Sequence, residues 1–445
     1  MAGFNPECGD AFQRISLLEV TVAVVVPKVQ FQCVTVQKRN MELSRRECMM
    51  MAKRAFRRED VEVVGFGFDS PVDSARGFIA ESNILWIDVR FDGKTTRLRS
   101  FVKTQPINQF HFKLVQKTRA FYKEAEFFNT LYPLLKRYFT RKVFPKCYFA
   151  SSSVTTLEDL KFLGYVNQNS GILDVEHCKA TLNTLASFHA SSFLYENEVG
   201  TTFDKTHQDI LFVSWFSHLP DHPGNVHLRT GIRALTAVMD KYFSHESEDV
   251  RNRFVGVLND VAGLLLPSKN HRNALSHCDL WSNNIMFRYR QDGSVENACL
   301  IDLQIFGYNP PAHDVYTLLL LNALDDSFKN NMKDLADFYY RSFVEHVTSF
   351  GLDANQVLSY EDFENSKSES VPLALGSAVL FTHFTTLPEE YLADIVRSEE
   401  LMTKMIEQDR VELVCNSIDN FPAYKRRLYA TICNLLDYLK GDLKI

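Results

Sequence analysis

The stretch "SHCDLWSNNIMFRYRQDGSVENACLIDLQ", residues 276–304, places Asp279, Asn284 and Asp302 among residues that are otherwise mostly apolar or turn-forming. Asp292-Gly293 lies between two runs of strand chemistry, and an Asp-Gly so flanked is a strong hairpin signal. Taken as a two-residue turn, it pairs Gln291 with Ser294 and carries Asn284 opposite Ile301, one step from Asp302. An amide oxygen beside a carboxylate, with Asp279 a short way upstream, is hard oxygen chemistry. Such a set suits Mg2+, which takes one or two carboxylates and completes its shell with phosphates and water.

Working outward, the spacing His277-x-Asp279-x-x-x-x-Asn284, followed by Asp302, matches the kinase pattern of catalytic loop and metal-binding aspartate. In that template Asp279 orients the attacking hydroxyl and accepts its proton, while Asn284 and Asp302 hold the metal on the nucleotide. Phosphoryl transfer also needs positive charge on the phosphates. "ILWIDVRF" (84–91) and "TTRLRSFVKT" (95–104) alternate as strands around Asp92-Gly93, and Pro106 ends the second. That hairpin sets Lys103 opposite Ser82, next to "SARGFIAE" (74–81), a glycine-containing bend able to approach phosphates. Residues 114–139 read as helical, with Phe121, Phe128 and Leu131 at helical spacing. Glu124 on that next helix is the natural partner for Lys103.

The rest of the chain gives the frame. "SRRECMMMAKRAF" (44–56) reads as a helix capped by Ser44. "SVTTLEDLKFLGY" (153–165) reads as a strand running into a connector, and helical patterns follow at 176–195, 231–243, 314–324 and 423–441. The expected fold class is therefore α+β, a β-rich first part with a mostly helical remainder. The expected boundaries are an extension at 1–60, a nucleotide-binding lobe at 61–160, and a helical lobe at 161–445. Length, at 445 residues, calls for more than one core. A net charge of −6 argues against a nucleic-acid binder, and no apolar run is long enough for a membrane helix. Residues 17–29 are apolar but contain Glu19 and lack a cleavage site, so they do not read as a signal peptide. Nine scattered cysteines without a CxxC pair fit a reducing cytoplasm better than a disulfide framework or zinc site.

With these motifs in order, "SFVKTQP" (100–106), "FYKEAEFF" (121–128), "TLEDL" (156–160), "HCDLWSNNIMF" (277–287), "LIDLQ" (300–304) and "PPAHDVYTLLL" (310–320) resemble the ecdysteroid kinase-like family. That family carries a CHK kinase-like domain related to choline kinases and aminoglycoside phosphotransferases, and the resemblance spans residues 65–400. It implies a bilobed protein-kinase-like fold and ATP- and Mg2+-dependent phosphorylation of a small-molecule hydroxyl. The acceptor it implies is an ecdysteroid or xenobiotic alcohol in a detoxification role, handled by a monomer or weak homo-oligomer. By position Asp279 resembles the base, Asn284 and Asp302 the metal ligands, and Lys103 with Glu124 the phosphate-positioning pair. "LEDL" resembles the hinge, whose backbone near Glu158 and Leu160 would meet adenine. Two departures stand out. Cys278 replaces a common Gly, where only backbone shape is needed, and "DLQIFGYNPP" lacks the basic residue common after the metal aspartate.

Plainer readings accompany the sharper ones. His277 reads as a buried support for the loop, His189 as packing, and Asp314 as a helix cap with a link to the catalytic loop as its other role. Prolines and a glycine break any helix that would align His218, His222 and His227 on a metal. Cys278 as a nucleophile has only its address in its favour. Two other functions compete: a choline or amino-alcohol kinase, which needs acids and aromatics around a cation, and an inactive nucleotide-binding pseudokinase, which need not keep Asp279.

Overall fold

The computed structural model describes residues 43–69, 80–168, 171–213, 217, 222, 224–443 and 445. The bend at 74–79, the apolar run at 17–29 and His218 lie outside the described residues. The chain divides into two compact units, Met1–Gly67 with Trp86–Leu98, and Phe68–Leu85 with Arg99–Ile445.

In the first unit a helix, Arg45–Phe56, starts as the sequence predicts. Ser44 accepts from the Glu47 amide and Glu47 reaches back to the Ser44 amide, a reciprocal capping box. Strands β1 (Glu62–Phe68), β2 (Glu81–Phe91) and β3 (Lys94–Thr104) lie in that order. Asp92 and Gly93 both take positive φ, 47° and 69°, as the primed turn between alternating strands demands. Gly67 has no room for a side chain, because an added Cβ would stand 2.7 Å from the Trp86 ring.

In the second unit β2 and β3 continue into β5 (Val154–Glu158) and β4 (Cys147–Ala150), and Lys103 pairs with Thr155. The helical reading of 114–139 is divided in the structure. Helix Gln109–Thr118 ends at Arg119, whose φ of 54° breaks the run, and Glu124 lies on the second helix, Ala120–Glu126. A 25-residue helix, Val175–Val199, threads the core, capped by Asp174 at its start and by left-handed Gly200 at its end. Helices Gly224–Tyr242, Glu248–Leu264, Pro311–Asn322, Lys367–Thr385 and Pro422–Lys440 complete most of the remainder.

The hairpin at the opening stretch forms from β8 (Ile285–Tyr289) and β9 (Val295–Leu300), but its turn differs from the expectation. Ile285–Arg288 keep the predicted register, whereas Tyr289 pairs with Val295 and Glu296 is left as a bulge. The loop has three residues, closed by Arg290 N–H donating to the Ser294 carbonyl. Gly293 is left-handed at φ 83°, and the Asp292 carboxylate accepts from both the Ser294 amide and hydroxyl. That side-chain turn favours a three-residue loop with a bulge over the two-residue form. The bulge restores the register, so Ile301 N–H still donates to the Asn284 carbonyl at 2.9 Å.

Candidate active site

Strand β3 carries Lys103 with its side chain one-tenth exposed. Its ammonium lies 2.8 Å from Asp302 and 3.5 Å from Glu124, which is fully buried. Glu124 also accepts from the Leu303 amide at 3.2 Å, tying the helix to the segment just after the hairpin. Burial works against the Lys103 ammonium, yet the two carboxylates outweigh it and hold its pKa above the ordinary lysine value. Burial pushes the Glu124 carboxyl up, and Lys103 only partly opposes this.

The loop between β7 (Ala274–Ser276) and β8 carries Asp279. Asn284 donates its amide N–H to the Asp279 carboxylate at 2.7 Å and to the Asp279 carbonyl at 3.0 Å. Burial, then the nearby Asp302 charge, pushes the Asp279 carboxyl up to about 8 against the opposing pull of Asn284 and Lys103. A carboxyl so placed exchanges its proton near neutral pH, as an acid–base group requires. The Asn284 amide oxygen and the second Asp302 oxygen accept no hydrogen bond among the described residues. Both residues face the same cavity as Asp279. Two hard oxygens left open beside a carboxylate fit Mg2+.

Behind the loop, Asp314 is completely buried and accepts from the amides of His277 at 2.6 Å and Cys278 at 2.9 Å. It lies inside helix Pro311–Asn322, whose N-cap is Pro310, so the capping role fails and the link to the loop is the one that holds. His189 approaches Asp314 at 3.2 Å and the Tyr339 hydroxyl at 2.7 Å, which makes it a polar relay as well as packing. His277 accepts the Asp279 amide through Nδ1 and meets the Ile301 carbonyl through Nε2, the loop support expected of it. Cys278 stands at φ 63°, the backbone shape that glycine would supply freely. Burial pushes its thiol far up, which disfavours the thiolate that a nucleophile needs. Cys278, His313 and Asp314 gather within 4.8 Å, but both Asp314 oxygens already accept from amides of the catalytic loop.

At the far edge, Glu158 ends β5 with its carboxylate against Lys142 and Lys146, and Leu160 opens the connector. All seven residues singled out from the sequence line one cavity of about 640 Å³. The size is within the ordinary range for small-molecule sites.

The model of the ecdysteroid kinase-like family matches residues 80–352. The chain belongs to that family. As an ecdysteroid kinase-like protein it is a phosphotransferase that acts on an alcohol. No curated protein matches it. Among solved structures, an ethanolamine kinase of Plasmodium vivax is 14% identical with a TM-score of 0.36, over 86% of this chain and 85% of that one. The choline kinase LicA of Streptococcus pneumoniae is 14% identical with a TM-score of 0.38, over 88% of this chain and all of that one. The sequence did not single out Lys123, which lines the same cavity of this family member. The signal was a lysine next to Glu124 on the helix that carries Phe121.

Proposed function

We propose that the chain transfers the terminal phosphate of ATP to the hydroxyl of an apolar alcohol, of ecdysteroid or xenobiotic type, with Asp279 as the base. The observation that carries this is the convergence of Lys103–Glu124, Lys103–Asp302 and Asn284–Asp279 on one cavity. Lys103 would steady the phosphates, its rotamer fixed by Glu124. Asn284 and Asp302 would hold Mg2+, which when bound neutralises charge on the phosphates. Asn284 orients the Asp279 carboxylate, and Asp279 takes the proton of the acceptor hydroxyl as it attacks in line. The connector at Glu158 and Leu160 would receive the base. Cys48, Cys178, Cys278, Cys299, Cys415 and Cys433 are free thiols, which suits a reducing cytoplasm.

An apolar acceptor is favoured over choline by the lining. Its acids, Glu124, Glu158, Asp159, Asp279 and Asp302, belong to the nucleotide and catalytic end, while Val261, Leu265, Leu380, Phe381 and Phe384 line the helical end. A quaternary ammonium would find aromatics there without a carboxylate. ADP release with a panel of hydroxylated compounds tests the roles. Asp279→Asn is expected to lower acceptor-dependent ADP release by about 10²–10⁴-fold. Asp302→Ala is expected to weaken Mg-ATP binding. Full activity in the first variant, or unchanged binding in the second, removes that assignment.

A further inference from the structure

Helix Ala120–Glu126 sends two neighbouring charges into the cavity, and only one is matched. Glu124 has Lys103. Lys123 has no carboxylate among the described residues, although it is 1% exposed. Its ammonium donates to the Phe212 carbonyl and lies 4.9 Å from the Phe212 ring centroid and 4.8 Å from that of Phe306. Two rings ease the burial of a cation but do not replace a counter-ion. An ammonium has three donors, and among the described residues this one spends a single donor on protein. Burial pushes its pKa down to about 7, so an oxygen acceptor beside it would relieve a standing cost.

A second cation reinforces the same sign. Arg410 is also 1% exposed and stands directly behind the cavity wall. It donates to the His227 carbonyl at 2.5 Å and lies 5.3 Å from the ring of Phe384, and both of those residues line the cavity. Its Nε and second guanidinium nitrogen have no partner, and it forms no ion pair among the described residues. Among the described residues, the cavity thus has one buried cation in its lining and a second behind its helical end, and that end bears no acid.

We infer that the acceptor brings a carbonyl or carboxylate oxygen to Lys123, and that Lys123 and Arg410 together exclude cationic amino alcohols. The inference rests on the phosphotransferase reading for the word acceptor, but its test is binding alone. Titration calorimetry with the full chain uses three chain-matched probes: octanoate, octan-2-one and octyltrimethylammonium. Wild type is expected to bind octanoate or octan-2-one about tenfold or more tightly than octyltrimethylammonium. Lys123→Met should erase that preference while ADP binding and the unfolding midpoint show the variant to be folded. The relative affinity of octanoate and octan-2-one tells carboxylate from carbonyl. Equal affinity for all three, a preference for the cation, or no binding of any probe overturns the inference. The wild-type comparison stands even where the variant does not fold. Transfer of phosphate to no alcohol, with the probe ranking intact, would overturn only the earlier reading.

Discussion

Cys278 and Asp302 hold left-handed backbone at φ 63° and 66°, a conformation that costs a non-glycine residue of order 1 kcal/mol or more. Asp314 supports the first of these by accepting the Cys278 amide. Burial alone would raise the Asp314 carboxyl, but the His189 hydrogen bond and neighbouring charges win and hold it at about 2. Its folded pKa is thus below the ordinary aspartate value. The stability it contributes is present above about pH 4 and lost as pH falls toward 2, amounting to about 2–3 kcal/mol. Denaturant unfolding of wild type and Asp314→Asn should therefore show a gap at pH 6 that narrows by pH 3; a constant gap would refute this role. At this scale Asp279, Asn284 and Asp302 were legible because a single hairpin gathers them. Lys103 and Glu124 were legible as an ordered pair of strand and helix. Asp314 was misread as a cap because a carboxylate near a helix start looks the same whether it faces its own helix or another loop. Lys123 was missed because its counter-ion is absent only in three dimensions.

Elements were read well where one local rule governs them. The Ser44 cap and the Asp92-Gly93 turn each follow from side chains within a few residues, whereas the long helix, read at 176–195, runs over Val175–Val199 between Asp174 and Gly200. The second turn was misread by one residue because the Asp292 side chain competes with the backbone for the Ser294 amide. The packing of helices was not legible at all, since nothing local says which faces meet. Gly376 on helix Lys367–Thr385 illustrates this, as an added Cβ would stand 2.7 Å from a methyl of Val261 on helix Glu248–Leu264. Helix propensity alone favours Gly376→Ala by about 1 kcal/mol. The clash with a stiff valine is expected to reverse that sign and to destabilise by about 1–3 kcal/mol. Adding Val261→Ala should recover part of the loss, a non-additivity that urea titration of the four proteins measures. Simple additivity would mean that the two helices do not meet as described.

For the whole molecule, a net charge of −6 conceals a site where cations are locally unmatched. Bulk composition discouraged a nucleic-acid reading but could not show a cavity assembled from residues spread between Ala80 and Thr385. No helix among the described residues is long and apolar enough to cross a membrane. The nucleotide end of the cavity depends on Lys103, so Lys103→Met is expected to weaken ATP binding by about tenfold or more, read by calorimetry. Unchanged affinity would place the phosphates elsewhere. The central claim is phosphoryl transfer to an apolar alcohol, and mass spectrometry of hydroxylated compounds incubated with protein and Mg-ATP addresses it most directly. The account predicts a phosphate ester of a largely apolar, non-cationic acceptor with wild type and its near-complete loss with Asp279→Asn. A protein that binds Mg-ATP yet phosphorylates nothing, or a variant that yields as much ester as wild type, would contradict it.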